Sequence, residues 1–152
     1  MRTKKLSADE QLALRESARL ELIRLETIIQ SQETTELLDK YKNRFNICET
    51  VYKILLKKHQ DHKGKKTTTF LKVSMTQVPH VLTFAGYSFD VEMLNELFGA
   101  SGKNGTTVKK LRDAVTHGIS PKAIEEIISR QEELFGYMDS FLNVIRTLDD
   151  VA

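Results

Sequence analysis

Residues 121–148 read PKAIEEIISRQEELFGYMDSFLNVIRTL. Apolar residues recur in this stretch every seven positions: Ile127, Leu134, Phe141 and Leu148. Further apolar residues lie between them at spacings of three and four, which predicts one long helix with a broad apolar face. Ser120 at the capping position and Pro121 in the first turn mark where it begins. Because only neighbouring helices can cover so wide a face, we predict an all-α fold, an up-down bundle of four to six helices.

The first sixty residues predict two more long helices. Ser7 and Glu10 form a capping box that opens the first helix, which runs to about Gln30. The second helix extends from about Glu36 to about His59. Its apolar stripe alternates by three and four: Leu38, Tyr41, Phe45, Cys48, Tyr52 and Leu55. Three more apolar residues widen the stripe: Ile47, Val51 and Ile54. A stripe this broad predicts contact with more than one neighbour, within the core or on a second subunit.

Shorter elements are predicted in the middle of the chain. Ser74 or Thr76 caps a short helix with Pro79 in its first turn, and Asp90 caps another. The glycine-rich segment 99–105 then predicts a mobile hinge or lid, since its spacing does not match a phosphate-binding P-loop.

The composition bounds the class of protein. A chain of 152 residues, 40% of them hydrophobic, is predicted to form one domain, residues 1–152. The net charge of +2 gives no overall attraction to nucleic acid, so binding of that kind needs a local patch. The single cysteine, Cys48, excludes an internal disulfide and is typical of a reducing compartment. Because no apolar run is long enough to span a bilayer and no signal-peptide pattern is present, we expect a soluble cytoplasmic protein without a membrane partner.

Residues 108–118 read VKKLRDAVTHG and gather the groups most able to do chemistry. Thr106 or Thr107 caps the helix that contains Arg112. In an unbroken helix Arg112 and His117, five residues apart, would point about 140° away from each other. Gly118 predicts that the helix stops just before it with a left-handed glycine cap, which frees the imidazole to turn toward the guanidinium. A histidine at a helix C-terminus also meets the negative end of the helix dipole, which favours its charged form.

The motif Arg112-Asp113-x-x-x-His117 resembles that of the HEPN superfamily, an arginine and a polar residue followed by a histidine. The likeness also covers the helical layout ahead of a long closing helix. It implies a metal-independent endoribonuclease that acts on single-stranded RNA as a homodimer, without a cofactor, through two motifs that meet in one composite site. Ile119 stands where many toxin members of the superfamily carry a tyrosine, which argues against silencing by nucleotide transfer to that position.

The resemblance implies a role for each residue of the motif. His117 would move the proton of the attacking 2′-hydroxyl or of the leaving oxygen, Arg112 would hold the scissile phosphate, and Asp113 would orient one of them. Lys109 and Lys110 would steer the RNA backbone. The products would carry a 2′,3′-cyclic phosphate or its hydrolysis product. The biological role would be that of a toxin or an antiviral or stress effector, under the control of a regulatory protein partner.

Alternatives remain open on the sequence alone. Arg112 is equally a surface arginine in a salt bridge, and His117 a histidine at a helix end, in a non-catalytic helical interaction or RNA-binding module. The basic segment 57–66 is either a solvated loop or an arm that contacts phosphates. Its His59 and His62 have the spacing of a metal pair but lack further ligands nearby in the sequence.

Overall fold

The computed structural model describes residues 6–30, 32–64 and 72–146 of the chain. These residues form seven α-helices and no strand, which confirms the all-α prediction. In chain order the helices are α1 (Ala8–Gln30), α2 (Gln32–His62), α3 (Val78–Phe84), α4 (Val91–Phe98), α5 (Val108–Thr116), α6 (Pro121–Ser129) and α7 (Gln131–Arg146). The chain divides into two compact units, Met1–Glu36 and Leu37–Ala152, so α1 belongs to the first and α3 to α7 belong to the second. None of the described helices is long and apolar enough to cross a bilayer.

α1 is capped as predicted but buries little of its surface. The backbone N–H of Ser7 donates to Glu10 Oε1 at 3.1 Å, and Ser7 Oγ accepts from the backbone N–H of Glu10 at 3.2 Å. The helix reaches Gln30, also as predicted. Its large apolar side chains are nevertheless exposed, with Leu12 67% and Leu22 55% accessible. The described part of α1 is therefore formed by local hydrogen bonds and capping, without a core of its own.

α2 carries the largest aromatic residues of the core. Its buried residues follow the predicted stripe except at the end, where Leu56 is buried and Leu55 is not. The ring of Phe98 lies 6.0 Å from that of Phe45 and 5.7 Å from that of Tyr52, which joins α2 to α4. The helix begins earlier and ends later than predicted. The residues added at the two ends are polar and mostly exposed, so they continue the helix without joining the core.

Of the two predicted caps on the short helices, one is present. Asp90 accepts from the backbone N–H of Glu92 at 2.9 Å and begins α4. Before α3, Ser74 Oγ and Thr76 Oγ1 are instead hydrogen-bonded to each other at 2.7 Å. The N-cap position of α3 is Gln77, whose side chain makes no capping bond. The predicted cap of α3 is wrong because the two hydroxyls satisfy each other before the helix begins.

The glycine-rich loop between α4 and α5 is anchored by carboxylates of α4 and α6. Buried Glu96 accepts from the backbone N–H of Lys103 at 2.7 Å. Glu126 accepts from the backbone N–H and the hydroxyl of Thr106, each at 3.0 Å. The loop therefore joins α4 to α6 as an anchored segment, whereas the sequence predicts a hinge.

The predicted closing helix is two helices in the structure. Arg130, with φ −111° and ψ 17°, separates α6 from α7, although the break contains neither proline nor glycine. α6 contacts α5, whereas α7 contacts α4. The prediction of one unbroken helix from Pro121 is wrong because two different packing partners override the continuous local pattern, and its predicted end at about Leu148 lies outside the described residues.

Candidate active site

α5 carries the residues of the predicted site and is fixed at its N-terminus. Thr107 caps the helix through its hydroxyl, as predicted, and donates the same hydroxyl to Gly99 O at 2.7 Å. The Tyr41 hydroxyl of α2 donates to Val108 O at 2.7 Å. These contacts set the rotation of α5, so its apolar residues face the core and Arg112 lies at the edge of that core.

Arg112 is held by four side chains. Its guanidinium carbon lies 4.5 Å from the centre of the Phe45 ring. Nε donates to Asp113 Oδ1 at 3.0 Å, and Nη1 donates to Asn46 Oδ1 at 3.2 Å. Nη2 donates to Glu49 Oε2 at 3.1 Å. We call these five residues the Arg112 cluster. The Arg112 side chain is 17% exposed. Because a guanidinium has five N–H donors, its three hydrogen bonds leave N–H groups that can still donate to a ligand.

Glu49 is a member of this cluster that the sequence analysis missed. It follows Phe45 by four residues, so it lies one turn along the same side of α2, at the border of the buried stripe. The sequence signal that could have identified this pair is that Glu49 and Arg112 each lie at the border of an apolar stripe. Partly buried charges need partners of opposite sign. Asp113, which the sequence does single out, bonds the Nε of Arg112 and so fixes the plane of the guanidinium.

The side chain of His117 lies exposed at the end of α5. α5 ends at Thr116, and the backbone N–H of His117 donates to Asp113 O at 3.2 Å. Gly118 has a φ of 158°, a positive value that residues with a side chain rarely adopt, so the predicted need for glycine at this helix end is met, although the angle is far from the αL value of about 57°. No hydrogen bond or ion pair joins the His117 imidazole to another described residue, Arg112 included.

A groove of about 390 Å³ lies beside α5. Its charged lining residues are three lysines, Lys72, Lys109 and Lys110, and one acid, Asp113. Lys109 Nζ donates to Val73 O at 3.1 Å and so holds the wall of the groove. We call this feature the lysine groove. Both lysines that the sequence analysis assigns to RNA therefore share a groove with the acid of the motif.

An apolar face of α2 lies on the other side of the Arg112 cluster. Ile47 is 53% and Ile54 58% exposed, and Val51 lies between them on the same face. A hollow of about 260 Å³ is lined by α2 residues that include Asn46, Ile47 and Val51. Because Asn46 also accepts from Arg112, the apolar face and the cluster share a residue. These isoleucines were predicted to widen the stripe, and the structure leaves them outside the core.

A second arginine cluster, not identified from the sequence, lies at the junction of α6 and α7. Arg130 is paired with Glu126 and Glu133, the latter at 2.9 Å, and Nη1 donates to Thr106 O at 2.9 Å. We call these four residues the Arg130 cluster. The hydrogen bond from Arg130, followed by that from Tyr137, holds the pKa of Glu133 below its usual value.

Other groups with chemical potential are engaged in packing. Burial raises the pKa of the Cys48 thiol to about 12, and its Sγ lies 3.7 Å from Met138 O, so it is a protonated, poor nucleophile at neutral pH. The rings of His59 and His62 each lie 4.9 Å from that of Phe84. In the described part of the chain no three His, Cys, Asp or Glu side chains are grouped as a metal site.

No protein-family model, curated protein or solved structure matches this chain. Its function is therefore inferred from the residues of the site and from their surroundings.

Proposed function

We propose that this protein is a metal-independent endoribonuclease of the HEPN type, which cleaves single-stranded RNA in a composite site formed by two copies of the chain. The proposal is supported by the two side chains that α5 presents near its C-terminal end. α5 presents a guanidinium fixed by Asp113 and, where the helix stops, an exposed imidazole without a partner among the described residues. Phosphate binding and proton transfer are the chemistry that these two groups supply.

The fixed guanidinium is suited to a phosphate. Its contacts with Asp113, Asn46 and Glu49 hold it in one orientation. A phosphate therefore meets N–H donors that need no reorganisation as charge develops on the reacting oxygens. The Phe45 ring beneath the guanidinium supports the same orientation.

A second copy of the chain would complete the site. Within one chain no hydrogen bond or ion pair joins the imidazole of His117 to the guanidinium of Arg112, and two proton-transferring imidazoles require two chains. The exposed isoleucines Ile47 and Ile54 border the Arg112 cluster and are suited to apolar contact between copies. Pairing across this face of α2 would bring two Arg112 clusters toward one axis.

The reaction then needs two proton transfers. The imidazole of His117 in one copy accepts the proton of the ribose 2′-hydroxyl, and the 2′-oxygen attacks the adjacent phosphorus. The bond from phosphorus to the 5′-oxygen breaks, and the imidazolium of the second copy donates a proton to that oxygen. Arg112 offsets the negative charge of the phosphorane-like transition state. The products are a 2′,3′-cyclic phosphate and a 5′-hydroxyl.

The biological role that fits such an activity is a toxin or an antiviral or stress effector acting in the cytoplasm. An enzyme that cleaves RNA inside a cell would need a restraint, so a regulatory protein partner belongs to the proposal. The exposed face of α2 is a place where such a partner would compete with dimer formation.

The test is cleavage of labelled single-stranded RNA by purified protein in excess EDTA, with the dimer verified by light scattering. Fragments ending in a 2′,3′-cyclic phosphate are expected, and an oligonucleotide with 2′-deoxyriboses should remain intact. Loss of cleavage in both Arg112→Ala and His117→Ala, each folded by circular dichroism, would complete the case. RNA left intact by a verified dimer across varied sequences would refute it.

One observation favours a second candidate, a non-catalytic helical interaction or RNA-binding module. Arg112 is already paired with two carboxylates, Glu49 and Asp113, which lowers its attraction for a phosphate. This candidate predicts binding of RNA or protein without turnover and Arg112 variants that alter stability alone. RNA cleavage that disappears with His117→Ala excludes it.

A further inference from the structure

The lysine groove beside α5 differs from an ordinary solvated patch in three respects. It is concave, with a volume of about 390 Å³, near the lower end of the roughly 300–1,000 Å³ range of small-ligand sites. Its apolar lining is half-buried Met75 above the buried residues Val73 and Phe98. Its rim carries lysines from two separate segments, Lys72 before α3 and Lys110 in α5. A charged rim over an apolar lining suits a ligand that is itself part anion and part flat apolar surface.

The charges in the groove favour an anion. Asp113 is the only acid in its lining, and that carboxylate is already paired with the Arg112 guanidinium. Lys109 is engaged with Val73 O, whereas Lys72 and Lys110 are exposed and have no acidic partner among the described residues. Two lysines without an acidic partner therefore line the groove, each suited to contact one phosphate as a point charge.

Asp113 connects the groove to the Arg112 cluster. One of its oxygens, Oδ1, accepts from Arg112 Nε at 3.0 Å, and the same residue lines the groove. A chain that places one phosphate on the guanidinium can therefore place its neighbouring nucleotide in the groove. The second carboxylate oxygen forms no hydrogen bond with another described residue and is a potential acceptor for an N–H of a base or a ribose hydroxyl.

We propose that the lysine groove binds one nucleotide of single-stranded RNA, next to the phosphate held by Arg112, through Lys72 and Lys110 and the apolar part of the lining around Met75. The volume admits one nucleotide, and a stacked, paired base of a duplex could not enter it. The groove thus makes the site selective for single strands. This inference rests on the proposed ribonuclease function for the position of the scissile phosphate, and on the groove itself for the binding.

The experiment measures binding separately from cleavage. Fluorescence anisotropy of a labelled RNA oligonucleotide, single-stranded or duplex, is followed in the full-length His117→Ala protein, in which the proposed turnover is removed. Lys72→Ala and Lys110→Ala are compared with Lys103→Ala, which removes an exposed lysine outside the groove. Lys109 is left intact because its loss would disturb the groove wall. Thermal unfolding checks that each variant is folded.

The expected result is a several-fold weaker affinity for the single strand in each groove variant. The slope of log affinity against log salt should also fall by about 0.7 for each phosphate contact removed. Lys103→Ala should leave both quantities unchanged, and duplex RNA should show no effect of the groove lysines. Unchanged affinity and slope in Lys72→Ala and Lys110→Ala, or an equal loss on duplex RNA, would overturn the inference.

The two proposals fail in different ways. If the wild-type protein binds single-stranded RNA through the groove lysines but never cleaves it, the groove inference stands and the ribonuclease proposal falls. If the wild-type protein cleaves RNA while the groove variants bind and cleave as it does, the groove inference falls and the ribonuclease proposal stands. Absence of any RNA binding by folded protein overturns both.

Discussion

The Arg112 and Arg130 clusters have similar exposure and different surroundings. Arg112 is 17% and Arg130 14% exposed, and each guanidinium is paired with two carboxylates. Arg130 also donates to a backbone carbonyl, that of Thr106, and its Nη2 is buried without a hydrogen-bond partner among the described residues. The guanidinium of Arg112 instead donates to side chains, two of which line open hollows: Asn46 on the apolar face of α2, and Asp113 in the lysine groove.

The difference teaches that ion pairing alone does not separate a structural arginine from a functional one. Both clusters satisfy a guanidinium with acids, as partly buried charges require. The Arg130 cluster joins the α4–α5 loop to the junction of α6 and α7. Its loss should therefore lower the free energy of unfolding. The Arg112 cluster opens onto two surfaces that a ligand and a second chain can reach, so its loss should be felt in activity.

The largest expected effect is on the Arg112 side of this comparison, at His117. Replacing it with alanine should lower the rate of RNA cleavage by about 10²–10⁴-fold, because proton transfer in both halves of the reaction is lost. The free energy of unfolding should barely change, since the imidazole is exposed. His80→Ala, another exposed histidine, is the matched control and should cleave at the wild-type rate. Equal losses in both variants would contradict the assignment.

The next effect compares the two arginines directly. Arg112→Ala should reduce cleavage by about 10²–10³-fold, the usual cost of losing one preorganised donor group. Arg130→Ala, measured at a temperature where it remains folded, should retain most of the activity. Initial rates on one RNA substrate at saturating concentration give the comparison. If Arg130→Ala is as inactive as Arg112→Ala while still folded, the two clusters do not differ in the way described.

For the free energy of unfolding, the large effect is expected in the Arg130 cluster. Arg130→Ala should lower the free energy of unfolding by about 2 kcal/mol, because Glu126, Glu133 and the Thr106 carbonyl each lose a charged donor. Urea unfolding followed by circular dichroism measures this change. Arg146→Ala, at the end of α7, is a control with an exposed side chain and should change stability by less than about 0.5 kcal/mol.

A smaller effect should follow from crowding the Arg130 cluster without removing its charges. Gly105 has a φ of 140°, and a Cβ at that position would lie 2.7 Å from Arg130 Nη1. Gly105→Ala should therefore lower the free energy of unfolding by about 1–2 kcal/mol through backbone strain and displacement of the guanidinium. Gly136→Ala, where no atom lies within 4 Å of the added Cβ, should be neutral or stabilising. Similar losses in both variants would contradict the close approach.

The smallest effect is a pH dependence of stability in the Arg130 cluster. The pKa of Glu133 is lowered from 4.5, first by the hydrogen bond from Arg130 and then by that from Tyr137. A carboxylate whose pKa is lower in the folded state stabilises the protein at pH values above the pKa of the unfolded state. This stabilisation is lost as the pH falls through the pKa of the folded state. The free energy of unfolding should therefore decrease below about pH 4.5, and less steeply in Glu133→Gln. An unchanged slope in that variant would remove Glu133 as a source.

The sequence predicted the features that depend on neighbouring residues. The capping box of Ser7 and Glu10, the caps at Asp90 and Thr107, and the end of α5 at Thr116 all follow from local hydrogen bonding. The buried stripe of α2 follows from helical periodicity and was wrong only at its last position. The all-α class follows from the same periodicity.

What the sequence did not predict depends on contacts between distant residues. The break at Arg130 needs α6 and α7 to have different packing partners, and no local breaker marks it. The pairing of Arg112 with Glu49 joins residues 63 positions apart. The groove beside α5 requires the segment before α3 to pass along α5, which no spacing reveals. The placement of the motif at one helix end was predictable, whereas its surroundings were not.

The exposed leucines of α1 have a consequence for how the protein responds to solvent. A helix whose apolar side chains lie in water opens at little free-energy cost, so its amide hydrogens should exchange with deuterium long before those of α2 around Tyr52. The same opening would admit trypsin at Arg15 and Arg19 while sites in the core of the second unit resist. Limited digestion should therefore trim the first unit and leave a fragment that still shows the aromatic packing of α2 with α4.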